Sequence, residues 1–258
     1  MIDLHTHLLP DWDDGPDNWE ETEEMVEIAV KDGIDMICLT PHIFRFSRYQ
    51  DSQEILEARF EQFEEKYRID DRVKFFRGGE VFIRPDLVSQ VKEKNLSLNK
   101  SEYIFIELPS DQVPIGTKQL FYQMMLEGFT PIISHPERNE ILGRRPDILY
   151  DFINQGCLAQ VTAMSLTGEF GLEVQKIAEI FLKNRLVHLI ASDCHDTSRR
   201  KPILSQGVKA AAKIIDLEVA EAMVGEVPKA ILNNEIIPDL GSPINPVSRK
   251  KFFGLFKK

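Results

Sequence analysis

Seven short runs of Ile, Val, Phe and Leu recur along the 258 residues of this chain, each followed by a longer stretch with a different periodicity. The runs are Met1–His5, Met36–Thr40, Val73–Arg77, Tyr103–Glu107, Thr130–Ser134, Cys157–Val161 and Val187–Ala191. Bounded by Gly, Pro, Asp or Ser, they read as strands. Helical spacing marks the stretches between them: Asn18–Lys31 with Asn18 as a cap, Ser52–Tyr67, Lys118–Glu127, Pro146–Gln155, Leu172–Asn184 and Lys201–Ile215. In Ser52–Tyr67, for example, Ile55, Leu56, Phe60 and Phe63 fall on one face. Strand–helix alternation sustained without a linker, repeat or low-complexity segment predicts parallel strands in one barrel-like α/β domain, here residues 1–240.

Bulk properties narrow the function. Hydrophobic residues make up 43% and charged residues 28%, enough for a large core. A formal net charge of −11 argues against nucleic acid as a partner, because phosphate backbones reward a basic surface. The odd set Cys38, Cys157 and Cys194 builds no disulfide framework. Without a secretory pattern at the start, this points to a reducing cytoplasm. No apolar run approaches the roughly 18–20 residues that span a bilayer. Residues 241–258 differ in character, with Arg249-Lys250-Lys251 followed by Phe252, Phe253, Leu255 and Phe256. Such a tail suits weak contact with an anionic membrane surface or an acidic partner. Its plainer reading is a solvated terminus whose Phe residues pack locally.

Chemistry enters at the strand ends. In Asp3-Leu4-His5-Thr6-His7, residues two apart share a side, so His5 and His7 can reach one cation. A single H-x-H is weak, but the pattern repeats. Asp14 follows the first strand, His42 the second, Gly79-Glu80 the third, Glu107 ends the fourth, His135-Pro136-Glu137-Arg138 follows the fifth, and Asp193-Cys194-His195 the seventh. In a parallel barrel these ends meet on one face, where active sites are built. Five of the six histidines fall there, and His188, inside the seventh run, reads as a core or hydrogen-bonding residue. Carboxylates gathered with them would repel one another without cations to balance them. Asp14 also fits an Asx turn before Gly15-Pro16, Asp13 shares that ambiguity, and Asp3 suits the orientation of a ligand from behind.

Together these motifs resemble the polymerase-and-histidinol-phosphatase (PHP) superfamily, most of all its bacterial tyrosine phosphatases of capsule and exopolysaccharide loci. The likeness runs from Asp3 to about Pro202 and includes Thr40-Pro41-His42, Glu107-Leu108-Pro109 and Ser134-His135-Pro136-Glu137-Arg138. It implies a distorted (β/α)7 TIM-like barrel with two to three divalent cations, manganese first, with iron or zinc as alternatives. By position, it implies a first metal on His5, His7, Glu80 and Asp193, and a second on Glu80, Glu107 and His135. The third falls to Asp14, His42 and His195. Arg138 and Arg200 correspond to the family's phosphate-binding arginines, with Arg199 an alternative to the latter. The chain departs from the family in having Ile43 where relatives often carry a second histidine, and Trp12 where smaller residues are usual.

The activity so implied is hydrolysis of a phosphate monoester by metal-bound hydroxide, with Arg138 and Arg200 binding the phosphoryl group and Asp14 a ligand or proton donor. The substrate would be a phosphotyrosine protein, a membrane-associated bacterial tyrosine kinase. A histidinol-phosphate or other small-molecule phosphatase is the alternative, and an oligomer is compatible with the composition. Phe44, Phe46 and Tyr49 follow His42 and suit either stacking on a phenyl ring or packing of the loop. A rival chemistry is also written in the chain, since Cys194 to Arg200 has the C-x5-R spacing of thiolate phosphatases. It lacks the glycine such a phosphate loop uses.

Overall fold

A computed structural model describes residues 1–46, 48–49 and 52–247. All seven runs form strands, and two further short strands lie between them. In chain order they are β1 (Ile2–Thr6), β2 (Met36–Leu39), β3 (His42–Ile43), β4 (Lys74–Arg77), β5 (Glu80–Phe82), β6 (Tyr103–Glu107), β7 (Thr130–Ile133), β8 (Leu158–Thr162) and β9 (Leu189–Ala191). The helices are α1 (Trp19–Lys31), α2 (Gln53–Tyr67), α3 (Leu87–Lys94), α4 (Thr117–Leu126), α5 (Glu140–Arg144), α6 (Pro146–Gln155), α7 (Ala163–Thr167), α8 (Leu172–Lys183), α9 (Ser205–Ala211), α10 (Leu217–Ala222) and α11 (Glu226–Leu232). Asn18 caps α1 as expected, its side chain accepting from Glu21 N at 2.9 Å. The expected helix from Lys201 contracts to α9, whose start is capped from outside: Asp32 Oδ2 accepts from Leu204 N and Ser205 N at 2.7 and 2.9 Å. None of the helices among the described residues is long and apolar enough to cross a membrane. The basic tail from Arg249 lies outside the described residues.

The strand pairings are parallel. One sheet has the order β1-β2-β4 and the other β3-β5-β6-β7-β8-β9. They join into one curled wall because the strands of the second and third runs are each followed, after a short break, by a strand of the other sheet. β2 passes through Thr40-Pro41 into β3, and β4 through Gly78-Gly79 into β5. Pro41 has no N–H for a ladder, which breaks the strand there. Gly78 allows close approach: a Cβ on it would stand 2.7 Å from Leu98 Cδ2 and 3.1 Å from Cys38 Sγ. The curl returns to its start at β9, where Thr6 bridges Cys194 and Asp193 N donates to His5 O at 2.9 Å. Among the described residues nine strands thus stand where seven were expected, because a short strand of the other sheet follows β2 and another follows β4.

Two apolar layers hold this wall. Between sheet and helices lie residues such as Val26, Ile37, Phe63, Ile106 and Phe181. Inside the curl, Ile2, Leu4, Phe105, Ile132, Leu158 and Leu189 pack together, and Val227, Ile231 and Leu232 of α11 close them off. Leu4 belongs to this interior core, yet His5 also faces it, its ring 4.8 Å from Phe105. A register shift between Asp3 and Thr6 supplies the extra residue that permits both. Such bulges re-aim side chains, and this one hands the inner face over from Leu4 to His5 and His7.

The close approach at Gly78 sets where Glu80 emerges. Gly78→Ala should lower the unfolding free energy by about 1–3 kcal/mol, read as a shift in the urea midpoint at unchanged slope. An unchanged midpoint would mean that Leu98, fully buried here, has room to move.

Candidate metal centre

Each expected ligand reaches the inner mouth of the curl from a strand end or the turn after it. His5 lies in β1, His42 opens β3, Glu80 opens β5 and Glu107 ends β6. His135 and Asp193 come just after β7 and β9 in left-handed backbone, with φ of 32° and 53°. That conformation is unfavourable for residues with a Cβ, and it turns the chain sharply enough to aim the side chain inward. His5, His7, His42, Glu80, Glu107, Asp193 and His195 are buried, while Asp14 is exposed at the rim.

The side-chain atoms converge. His5 Nε2 lies 3.2 Å from His7 Nε2, 3.3 Å from Glu80 Oε2 and 3.5 Å from Asp193 Oδ1. His135 Nε2 meets Glu80 Oε1 at 3.0 Å. His42 Nδ1 is 3.0 Å from Glu80 Oε2 and 3.7 Å from Glu107 Oε2. Its Nε2 faces Asp14 Oδ1 at 3.3 Å, which His195 Nε2 approaches to 3.2 Å. Four overlapping groups can each surround an ion: His7/Asp14/His42/His195, His5/His7/Asp193, His5/Glu80/His135 and His42/Glu80/Glu107. These contain all nine expected residues but sort them differently. Glu107 falls with His42 instead of His135, and His7 joins the Asp14 group.

The donor set fits divalent cations on its own chemistry. Glu80 Oε2, Glu107 Oε2, Asp193 Oδ1 and His195 Nε2 are buried without a well-aimed hydrogen bond, all pointing into the cluster. Buried acceptors normally find partners, and several orphans facing one another leave room for something positive. Burial, helped by Glu80, pushes the Glu107 carboxyl up to about 7. For His7, burial and neighbouring His42 oppose a charge, but Asp13 and Asp193 outweigh them and hold the ring at about 9. For His195, burial and then His7 push the ring down to about 4.

Partners behind the ligands were only partly legible. Asp13 is buried and fixes two of them, meeting His7 Nδ1 at 2.9 Å and accepting from His42 N at 2.8 Å. Gly15 closes this turn so tightly that a Cβ would stand 2.4 Å from His7 O. Asp3 holds backbone instead of an imidazole, accepting from Ser192 N at 3.1 Å. Trp12 is buried and donates to His42 O at 2.9 Å, so the departure at this position props a ligand strand. Ile43 is buried against the core in β3. Gln160 went unnoticed: its Oε1 lies 3.2 Å from His5 Nδ1 and accepts from His135 N at 3.0 Å. A buried polar residue inside an apolar strand was the signal. His188 is indeed a hydrogen-bonding residue, its Nδ1 accepting from Ala159 N at 3.2 Å.

Both expected arginines sit at the mouth. Arg138 and Arg200 each donate to Asp193 Oδ2, the latter at 2.7 Å, while their Nε groups are buried without a partner. Arg199 is exposed. Cys194 is fully buried, and burial followed by the charge of Asp3 raises its thiol far above the usual range. A thiolate nucleophile is opposed there. Of the three aromatic residues, Phe46 stands half exposed with its ring 5.0 Å from His42. Tyr49 is engaged with Asp11 through a 2.5 Å hydrogen bond, and Phe44 lies under the Arg84 guanidinium at 4.3 Å.

Comparison with known proteins gives the chain relatives along most of its length. Residues 1–233 match a family model for capsular polysaccharide synthesis, CpsB/CapC. The Staphylococcus aureus protein CapC is 34% identical over 257 residues, 99% of this chain and 100% of that protein. Tyrosine-protein phosphatase YwqE of Bacillus subtilis is 33% identical over 257 residues, with the same coverage. A crystal structure from work on YwqE and on CpsB of Streptococcus pneumoniae, described as metal-dependent tyrosine phosphatases, superposes with a TM-score of 0.89. It has 31% identity and covers 95% of this chain and 99% of that one. A histidinol phosphate phosphatase from Lactococcus lactis shares the fold at 12% identity and a TM-score of 0.51, covering 95% and 97%.

Ligation demands neutral imidazoles, so a cation binding at His7, whose ring is held up at about 9, must displace its proton into solvent. Manganese titration of the stripped protein at pH 7 should therefore release protons, with affinity falling as pH falls from 9 to 6. Uptake that is independent of pH and releases none would contradict this electrostatic picture.

Proposed function

The chain belongs to the CpsB/CapC family of capsular polysaccharide synthesis proteins, and from that premise we propose that it is a metal-dependent protein-tyrosine phosphatase. The observation that carries the proposal is the set of inward-facing orphaned carboxylate and imidazole atoms beside two guanidiniums with unpartnered Nε groups. We read the curled wall as a distorted (β/α)7 barrel of the PHP type, residues 1–240 as its domain, and the cations as two to three manganese ions. His5, His7, Asp14, His42, Glu80, Glu107, His135, Asp193 and His195 would hold them. Divalent cations bound there supply Lewis acidity toward phosphoryl oxygens and lower the pKa of water.

The chain's own groups define the rest. Arg138 and Arg200 converge on Asp193 Oδ2 with their planes fixed, and phosphoryl oxygens would satisfy the free Nε donors. Charge growing on those oxygens is then met by donors already oriented. Asp14 serves better as a ligand than as a proton donor: burial opposes its charge, yet the His195 and His42 imidazoles facing its Oδ1 hold the carboxyl well below the usual range. A tyrosine leaving group, with a pKa of about 10, needs little acid assistance. Phe46, beside His42 and open to solvent, is placed to meet the phenyl ring. As partner we propose the phosphotyrosine of a membrane-associated bacterial tyrosine kinase.

The stripped chain reloaded with manganese should hydrolyse phosphotyrosine peptide in preference to phosphoserine peptide and histidinol phosphate. Arg138→Ala or Arg200→Ala should lower kcat/KM by about a hundredfold to a thousandfold, and Cys194→Ala should leave it nearly unchanged. Preference for histidinol phosphate would overturn the substrate, and loss of activity in Cys194→Ala would restore the thiol route. For the cytoplasmic, membrane-peripheral location we propose, deletion of Arg249–Lys258 should weaken binding to phosphatidylserine vesicles at low salt. Equal binding by the truncated chain would remove the tail from the account.

A further inference from the structure

Arg45 has no role in the chemistry above. It lies in the turn after β3, between Phe44 and Phe46, whose φ values of 68° and 58° are left-handed. Bulky residues rarely adopt that backbone, and here it flanks a side chain that reaches the mouth of the cluster. There the guanidinium donates from Nη1 to Glu107 Oε1 at 2.8 Å. Two rings sandwich it, with Cζ 4.4 Å from the Phe46 centroid and 4.9 Å from that of Phe82. A planar cation gripped in this way loses little further freedom on holding a carboxylate.

What the contact leaves free is informative. Glu107 Oε2 is buried, makes no hydrogen bond and faces His42 Nδ1 at 3.7 Å. One oxygen is thus held from outside and the other aimed into the cluster. Asp193 divides its oxygens the same way: Arg138 and Arg200 hold Oδ2, while Oδ1 is orphaned and lies 3.5 Å from both His5 Nε2 and His7 Nε2.

From this repeated division we infer that Arg45 is a positioning residue, fixing Glu107 as a one-oxygen ligand for the cation bounded by His42, Glu80 and Glu107. The inference rests on the metal-dependent reading above. Its physical basis is short-range repulsion. Glu80 presents a second carboxylate to the same imidazole, so an unrestrained Glu107 would rotate toward water. The guanidinium offsets that repulsion and sets the plane of the carboxylate. Neither role needs contact with the substrate.

Stripped wild type, Arg45→Ala, Arg45→Lys and Glu107→Gln should be titrated with manganese by equilibrium dialysis, with urea midpoints to confirm folding. Arg45→Ala is expected to weaken one class of site by about tenfold to a hundredfold and leave the others at wild-type affinity, with Arg45→Lys between. In the Glu107→Gln background, Arg45→Ala should add no further loss. Reloaded Arg45→Ala should lose kcat with KM near wild type. Wild-type affinity at every site in Arg45→Ala would overturn the role. So would tighter binding, which would make the guanidinium a competitor for Glu107, or an additive loss in the double variant. A wild-type chain that takes up no manganese would instead sink the metal reading beneath it.

Discussion

Asp14, Glu80, Glu107 and Asp193 bring acidic oxygens toward one another at the inner mouth of a curled sheet, and most of them are cut off from water. Like charges so placed repel strongly unless protons, cationic side chains or metal ions balance them. Arg45, Arg138 and Arg200 supply part of that balance from outside. Proton affinities reflect the same crowding: burial and then Glu80 push Glu107 up, and Asp13 and Asp193 hold His7 up against burial and His42. Metal ions would relieve it most directly, which is why stability, ligand geometry and chemistry are here one question.

Keeping such a cluster together demands a rigid frame and a locally distorted one. Rigidity comes from the interior core closed by α11 and from the helical layer outside. Distortion is confined to the strand ends. A bulge in β1 turns His5 and His7 inward, breaks at Thr40-Pro41 and Gly78-Gly79 reposition His42 and Glu80, and left-handed turns re-aim His135 and Asp193. Conformational strain of this kind persists only where surrounding packing enforces it. Its coincidence with the ligands ties the geometry of the backbone to the function of the site.

Seven of the strands, and the candidate ligands near their ends, follow one period in the sequence: an apolar run, then a ligating residue. Less legible were features that depend on what lies across space. The short strands β3 and β5, beyond the breaks at Thr40-Pro41 and Gly78-Gly79, have two and three residues, too few to show an apolar run. Short helices such as α5, α7, α10 and α11 span too few turns for periodicity to show. Proximities across the cluster are not legible from order, since Glu107 comes within 3.7 Å of His42, far from it in the chain. Gln160 and Arg45 carry no ligand signal in the sequence, and only the folded chain brings one behind His5 and the other onto Glu107.

That the acidic and imidazole groups jointly cage cations is best tested by crystallising the manganese-loaded protein and collecting anomalous diffraction at the manganese edge. The account predicts two or three anomalous peaks inside the space bounded by His5, His7, Asp14, His42, Glu80, Glu107, His135, Asp193 and His195, with Glu107 reaching its ion through Oε2. Peaks confined to surface carboxylates, with the cluster devoid of anomalous signal at saturating manganese, would contradict it.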